Sequence, residues 1–231
     1  MVKNIPVKIF VVVFSLLFVV CGGEEKAMGA MKGGKMKEEI KLPVAQLTGK
    51  VFLEEVLSAR RSVRDYKDSA LSLQEVAQLL WAAQGITADW GGRTAPSAGA
   101  TYPLEIYVVV GKVEGLKPGV YHYIPSSHSL RNILEGDLRE QLSSSALGQR
   151  CVAEAPVTVV VAAIFGRTTG RYGERGIRYV HMEVGHVGQN ICLQAETLGL
   201  ATVMVGAFRD EVVKNILKLK EEPLYLIPVG K

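Results

Sequence analysis

Apolar residues form one unbroken run near the start of the chain and periodic patterns after it. The run extends from Ile9 to Val20, contains a single serine, and follows Lys3 and Lys8. It is too short to span a bilayer as a helix, which needs about 20 residues. A positive segment followed by a short apolar run is typical of a secretory signal. We therefore interpret residues 1–20 as an export segment.

Cys21 ends this run and is followed by two glycines. The arrangement resembles a bacterial lipoprotein signal, in which the cysteine is lipidated and becomes the first mature residue. Val20 and Phe18 stand where such a signal usually has a small residue and a leucine, so an ordinary cleaved signal and an uncleaved anchor remain alternatives. We expect the protein to be exported or anchored to a membrane through Cys21, with the cytoplasm as the alternative location.

The segment 21–41 is rich in Gly, Met, Lys and Glu and shows no hydrophobic period. Charged, glycine-rich sequence of this kind is flexible and exposed, and we interpret the segment as a tether. From residue 42 to residue 231 the periodic patterns indicate one domain of mixed helices and strands.

Helical spacing of apolar positions and runs of branched residues predict the elements of this domain. Ser72 and Glu75 form a capping box before one helix, and Gly85 closes that helix. An almost wholly apolar, valine-rich run predicts a central strand buried on both faces. Because hairpin strands interrupt the alternation of helices and strands, we expect the α+β class. The predicted helices are 51–59, 72–84, 137–145, 177–198 and 209–217, and the predicted strands are 104–110, 119–124, 129–134, 156–165, 201–205 and 224–229.

Composition narrows the classes of function. The chain has 231 residues, of which 48% are hydrophobic, and this excludes wholesale disorder. Its 27 Lys and Arg against 23 Asp and Glu give a net charge of +4. Removal of Lys3 and Lys8 with the export segment leaves +2, too little to indicate a nucleic-acid partner. The three cysteines lack CxxC spacing, and we expect Cys151 and Cys192 to be buried hydrophobes.

The first candidate binding segment, Arg60-Arg61-Ser62-Val63-Arg64-Asp65-Tyr66, follows the first predicted helix. It places three guanidinium groups and a hydroxyl close together. Arginine forks match phosphate oxygens bidentately, although a charge run also occurs on ordinary solvated surfaces. The sequence contains no glycine-rich nucleotide loop and no serine-nucleophile elbow, so the usual backbone cradles for phosphate are absent.

Three further segments carry candidate chemistry. In 93–103, small residues between two prolines let backbone approach a flat ligand closely, although a plain loop is the alternative. In the long helix, Gly185 and Gly188 each cost about 1 kcal/mol of helix stability, and they indicate that another element, by expectation a helix, packs close to the backbone. In 203–206 a strand turns through Gly206.

Glu183 and His186 form a Glu-x-x-His pair on the long helix, which is the ligand pattern of di-iron carboxylate bundles. Such sites need two of these pairs and two further glutamates on four helices, and this chain has one pair in a strand-rich domain. We therefore expect no metal site and interpret the pair as packing or helix-face positions.

These segments, in this order, resemble the nitroreductase-like FMN-dependent flavoprotein family, and in particular its SagB-type dehydrogenase branch. The stretches RRSVRDY, PSAGATYPLEIYVV and RYVHMEVGHVGQNICLQAETLGL carry the resemblance, which covers about residues 50–231. It implies a nitroreductase-like fold, with a mixed central sheet flanked by helices, in an intertwined homodimer. It also implies that FMN binds without a covalent bond at the interface between the protomers.

The resemblance assigns residues to parts of FMN. Lys231 falls near a position where family members often have a basic phosphate ligand, but here it is the last residue. The phosphate and ribityl end would be held by Arg60, Arg61, Ser62 and Arg64. The isoalloxazine would be lined by Pro96, Ser97, Ala98 and Gly99 of the partner-side loop. Its other side and polar edge would be contacted by Val203, Met204, Val205 and Gly206.

The implied activity is hydride transfer between a donor, often NADH or NADPH, and a small organic acceptor such as a nitro compound or a quinone. Both would use one pocket in turn, in ping-pong order, and the flavin carries the chemistry. The first alternative is an azoline dehydrogenase acting on peptides. That branch uses a Lys-Tyr pair as base, whereas this chain has Arg178-Tyr179, so Tyr179 is the remaining catalytic candidate. An anchored flavin- or ligand-binding protein without turnover is an alternative of another class.

Overall fold

One seven-stranded sheet organises residues 39–231, the part of the chain that the computed structural model describes. The strand order is β1-β4-β3-β2-β5-β7-β6. The strands are β1 Glu39–Lys41, β2 Leu104–Val110, β3 Gly119–Ile124, β4 Ser129–Glu135, β5 Val157–Ala163, β6 Ala201–Thr202 and β7 Glu222–Gly230. The helices are α1 Leu53–Ala59, α2 Leu73–Gln84, α3 Arg139–Ser145, α4 Arg150–Glu154, α5 Phe165–Tyr172, α6 Arg175–Thr197 and α7 Asp210–Leu217, with a 3-10 turn at Ala98–Ala100.

Side chains alternate across the sheet and build two apolar cores. On one face, Val108 of β2 and Val159 of β5 pack in the same cluster as Leu79 of α2 and Val187 of α6. The opposite face packs against α3, α4 and α7, with Leu142, Val152 and Val213 among its core residues. The sheet is therefore covered by helices on both faces, and its antiparallel strand pairings place the domain in the α+β class.

The central strand and the first capping box are as predicted. All residues of β5 are buried, and the strand lies between β2 and β7. The Ser72 side chain accepts from the N–H of Glu75, and the Glu75 side chain accepts from the N–H of Ser72. The hairpin of β3 and β4 and the long helix α6 also form where the pattern predicts them.

Three expectations are corrected by the structure. The tether was expected to reach residue 41, but β1 pairs with β4 and Leu42 is buried, because an apolar residue there completes the sheet edge. The predicted strand 201–205 is short, since only Ala201–Thr202 form β6 and Val205 makes a separate bridge to Leu226. The central sheet was expected to be mixed, but all strand pairings in residues 39–231 are antiparallel. Parallel pairing in this part of the chain is confined to an isolated bridge between Leu71 and Val113.

The predicted export segment, Cys21 and the tether residues 21–38 lie outside the described residues. Within residues 39–231, no helix combines the length and the apolar character needed to cross a membrane. Cys151 and Cys192 are buried and free, as predicted.

Candidate active site

The arginine segment after α1 is fastened to the ends of the last two strands. The N–H of Val63 donates to the carbonyl of Thr202 at 3.0 Å, and the N–H of Lys67 donates to the carbonyl of Lys231 at 2.6 Å. Between them the Tyr66 ring lies against Gly230, where an added Cβ would be 2.7 Å from the ring. Burial raises the pKa of the Tyr66 hydroxyl, in keeping with this packed position.

The three guanidinium groups of this segment have no acidic partner within ion-pairing distance among residues 39–231. Arg61 Nη1 donates to its own segment, to the carbonyls of Ser58 at 2.9 Å and Arg60 at 2.8 Å. Arg60 is half-buried, whereas Arg61, Ser62 and Arg64 are exposed. Uncompensated positive charge on a fixed backbone is suited to an anion.

Arg60 and Arg64 approach different neighbours. The charge of Arg60 acts on the Cys192 thiol of α6, and the charge of Arg64 acts on the Cys151 thiol of α4, although burial has the larger effect and raises both thiol pKa values. The predicted phosphate ligands thus share one segment, but their charges act on different helices, that of Arg60 on α6 and that of Arg64 on α4.

Lys231 reaches the same region through its backbone. Its carbonyl accepts from Lys67, but its Nζ lies 3.7 Å from Glu75 Oε2, at the start of α2. The structure therefore places the Lys231 backbone beside the arginine segment and directs its side chain to a carboxylate.

The segment 203–206 packs against α6. Met204 Sδ would be 2.6 Å from a Cβ built on Gly188, so the close approach predicted at Gly188 is confirmed, although the neighbour is a loop side chain and not a helix. Gly185 has open space around its Cβ position. Val203 and Val205 are buried.

Backbone pairing in this segment limits what it can offer a ligand. The N–H and the carbonyl of Val205 both pair with Leu226, at 2.8 and 3.0 Å, so the expected Val205 amide is already used. The N–H groups of Met204 and Gly206 have no backbone partner within residues 39–231. These two amides can therefore serve as donors to the polar edge of a ligand.

The loop with the two prolines lies at a second position on α6. Gly99 has a φ of +59°, and a Cβ there would meet the Tyr172 hydroxyl and Arg171 Nη1, so a glycine is required. Arg171 Nη1 also donates to the Gly99 carbonyl at 3.0 Å. Ser97 Oγ accepts from the N–H of Tyr102 at 3.0 Å, which fixes the turn.

A cavity of about 280 Å³ opens between this loop and α6. The half-buried Tyr179 ring packs edge-on against Tyr172 at 5.1 Å, and His186 Nδ1 lies 3.4 Å from the Pro96 carbonyl. The lining residues are Pro96, Ser97, Ala98, Tyr179, Met182, Glu183 and His186. The structure thus joins the predicted ring-lining loop to the predicted catalytic tyrosine.

Met182, Glu183 and His186 are cavity residues that the sequence reasoning did not assign to the site. Tyr179, Glu183 and His186 follow an i, i+4, i+7 spacing, which places them on one helix face. This spacing could have identified Glu183 and His186 from the sequence, because it places both on the same helix face as the candidate Tyr179. In residues 39–231 no group of three or more His, Cys, Asp or Glu side chains is arranged to hold a metal ion.

The two parts of the site lie on opposite faces of α6. Gly188 is nine positions after Tyr179, which corresponds to roughly 180° around the axis and about 14 Å along it. Arg60 and Met204 approach the face of Gly188 and Cys192, whereas the Pro96–Ala98 loop covers the face of Tyr179. One protomer therefore does not close the arginine segment and the loop around a single ligand.

Comparisons with known proteins identify the family. Residues 57–231 match the sequence profile of the Nitroreductase family. The chain belongs to the nitroreductase family. A candidate nitroreductase of Methanocaldococcus jannaschii, MJ1384, is 53% identical over 193 residues, covering 84% of this chain and 96% of that protein. The predicted family and fold class are confirmed, and membership indicates an oxidoreductase.

Solved structures of nitroreductases share the fold. A candidate nitroreductase of Ralstonia eutropha superposes with a TM-score of 0.74 at 28% identity, covering 86% of this chain and 91% of that chain. A chain of the Escherichia coli microcin synthetase McbBCD complex with truncated pro-MccB17 bound gives a TM-score of 0.64 at 25% identity, covering 83% and 77%. The second match agrees with the resemblance to the SagB-type branch.

Proposed function

We propose that this nitroreductase-family protein is an FMN-dependent oxidoreductase that moves hydride between a donor and a small organic acceptor. One observation carries the proposal. Met204 packs against Gly188 of α6, and Arg60, from a distant part of the chain, is near enough to Cys192, one turn further along that helix, for its charge to act on the thiol. The family resemblance assigns these two residues to opposite ends of FMN.

The chemistry of the donor set fits FMN. A phosphate dianion needs positive charge, and the guanidinium groups of Arg60 and Arg64 form no ion pair within residues 39–231. The polar edge of the ring needs hydrogen-bond donors, and the N–H groups of Met204 and Gly206 lack backbone partners in the same part of the chain. Small residues at 96–99 leave room for a flat ring to approach the backbone.

A homodimer follows from the two faces of α6. Because the arginine segment and the Pro96–Ala98 loop lie on opposite faces, we infer that the loop of one protomer covers the FMN held by the arginines of its partner. The site is incomplete without the second copy. This agrees with the resemblance, which places FMN at a protomer interface.

Bound FMN would accept hydride from one substrate and give it to another. The chain's own residues bind, orient and shield it. The amides of Met204 and Gly206 would stabilise negative charge at the polar edge of the reduced ring, as preorganised donors do elsewhere. The loop excludes water from one face of the ring. Since the cavity beside Tyr179 is small, donor and acceptor would use it in turn, which is ping-pong order.

Azoline oxidation is the second candidate, and the similarity to a chain of the McbBCD complex favours it. Tyr179 lines the cavity and could take part in proton transfer. Arg178 is exposed and is not among the cavity residues, and arginine stays protonated. Tyr179 would therefore act without the basic partner that the peptide-oxidising branch uses.

The proposal is tested with the purified full chain. We expect a yellow protein, or a colourless one that quenches FMN fluorescence on titration. Anaerobic addition of NADH or NADPH should then bleach the flavin band, and a quinone should restore it. A protein that never binds FMN would overturn the proposal. Bound flavin that is reduced by dithionite but is not reoxidised by quinones or nitro compounds would indicate a binding protein without turnover.

A further inference from the structure

Glu183 is a buried carboxyl group in the wall of the cavity. Its side chain is among the lining groups, although only 2% of the residue is exposed. Its Oε1 atom has no hydrogen-bond partner within residues 39–231. An unpaired buried carboxylate oxygen is costly, so its position beside the proposed active site calls for a role there.

Two donor side chains that are not among the cavity residues, Arg93 and Gln84, influence Glu183. Arg93 Nη1 donates to Gln84 Oε1 at 2.8 Å, and the Arg93 guanidinium stacks 4.4 Å from the centre of the Tyr102 ring. Arg93 Nε and Gln84 Nε2 are buried and have no partner in the described part of the chain. Arg93 and Gln84 therefore each bring a buried donor without a partner to the surroundings of Glu183.

Burial and the polar neighbours of Glu183 have opposite effects on the pKa of its carboxyl group. Burial is the largest influence and raises the pKa of the carboxyl group above its usual range. The neighbouring Ser97 and Gln84 side chains and the charges of Arg93 and His186 lower this pKa and so act in the other direction. Glu183 therefore keeps its proton to a higher pH than an ordinary carboxyl group. Once the proton is lost, the charges of Arg93 and His186 favour the anion.

The surroundings of Glu183 contain few other ionisable groups. Tyr179 and His186 line the cavity with it on α6. Arg93 acts on it from the segment after α2, and Arg93 is itself influenced by the charges of Glu105 and Arg167. On the loop side the neighbour is the neutral Ser97.

We propose that Glu183 is the proton donor of this cavity, giving its proton to the acceptor that is reduced between the Pro96–Ala98 loop and Tyr179. The proposal rests on the proposed function, because it needs a hydride source beside the cavity. It adds an acid to a site in which the family resemblance assigns proton transfer to Tyr179 alone.

The step balances for a quinone. Reduction to a hydroquinone needs two electrons and two protons. Hydride from the reduced flavin supplies both electrons and one proton, and the Glu183 carboxyl supplies the other proton to a quinone oxygen. The carboxylate that is left faces Arg93 and Gln84 and regains a proton from solvent past the exposed His186.

The test compares Glu183→Gln with wild type and with Glu196→Gln, which removes a carboxylate from the same helix outside the cavity. FMN-loaded protein is reduced anaerobically with dithionite and mixed with menadione, and flavin reoxidation is followed from acidic to alkaline pH. In wild type we expect the rate to fall as pH rises and Glu183 loses its proton. Glu183→Gln should be slower by about 100-fold or more and lose this pH dependence, and Glu196→Gln should resemble wild type.

A second readout needs no flavin. Because the pKa of Glu183 is raised in the folded chain, the wild type is stabilised at acidic pH and loses that contribution as pH rises through the folded value. The midpoint of thermal unfolding of Glu183→Gln should therefore rise relative to wild type with increasing pH. Glu196→Gln should show a smaller trend.

The outcomes separate the inference from the proposed function. A protein that binds no FMN overturns both. A flavin-loaded Glu183→Gln variant that is reoxidised at the wild-type rate and with the wild-type pH profile overturns the inference alone. The same holds if Tyr179→Phe abolishes the pH dependence while Glu183→Gln preserves it.

Discussion

Arg60 is the residue on which the proposed phosphate site depends most. It is half-buried against α6, whereas Arg61 is engaged with the carbonyls of Ser58 and of Arg60 itself. A partly buried guanidinium meets less competing water than an exposed one, and within residues 39–231 Arg60 has no such side-chain hydrogen bonds to give up on binding. We therefore place Arg60 ahead of Arg61 in binding FMN.

Arg60→Ala should weaken FMN binding by about 10- to 100-fold, since a hydrogen bond to a charged group contributes about 1.5–3 kcal/mol. The matched control is Arg131→Ala, which removes an exposed arginine from β4. Fluorescence titration of FMN measures both. Equal affinities of the two variants would remove Arg60 from the site.

Gly188 shows how a single missing side chain shapes the same site. Met204 occupies the space that a Cβ would need, so Gly188→Ala must displace the end of that side chain. Helix propensity by itself favours Ala by about 1 kcal/mol. We expect Gly188→Ala to give no gain in stability in the wild-type chain and to weaken FMN binding by moving Met204.

The control is the same substitution in a Met204→Ala background. There the contact is gone, and Gly188→Ala should raise the free energy of unfolding by about 1 kcal/mol through helix propensity. Urea unfolding of the four proteins measures the coupling. An identical effect in both backgrounds would show that Met204 does not determine the need for glycine.

At the scale of elements, α6 organises the site because its two faces serve two different ligand-binding segments. The sequence predicted this helix and the close approach of another element at Gly188, because periodicity and helix-breaking residues are local signals. It did not identify Met204 as the neighbour of Gly188, because that contact joins residues distant in the chain. From the sequence, all four residues of 203–206 were expected to contact the ligand. The sequence could not show that Val205 is already paired, because its bridge to Leu226 is a tertiary contact.

The sequence pattern did not predict helix α5, and the reason is physical. Its eight residues include two glycines and two threonines, which are poor helix formers. Tertiary contacts hold it in place, with Arg167 Nη1 donating to the Tyr102 carbonyl at 3.0 Å and Arg167 Nη2 paired with Glu105 at 2.6 Å. Local propensity therefore fails where long-range contacts supply the stability.

The start of α2 is the opposite case, in which local chemistry decides. Ser72→Ala removes the side chain that accepts from the Glu75 N–H, and it should lower the free energy of unfolding by about 1 kcal/mol. Ser144→Ala is the control, because that exposed serine in α3 makes no capping contact. Urea unfolding compares them. A Ser72→Ala variant as stable as the control would mean that the capping box contributes nothing.

At the scale of the whole molecule, the described part of the chain begins at Glu39, and the export segment predicted at residues 1–20 precedes it in the sequence. We propose that Cys21, which lies outside the described residues, carries lipid. In a bacterial host supplied with an alkyne fatty acid, the full chain should be labelled and sediment with membranes. Cys21→Ser should abolish the label, and an unlabelled wild-type chain would contradict lipidation.

The proposed dimer is the property of the whole molecule on which the proposed function rests. The arginine segment and the proline loop lie on opposite faces of α6, and we propose that two protomers contribute to each site. Sedimentation velocity of the full chain titrated with FMN, recorded in the flavin absorption band, tests this most directly. The account predicts that flavin sediments at the mass of a dimer with one FMN per chain. Flavin that stays free, or that sediments with a monomer, would contradict it.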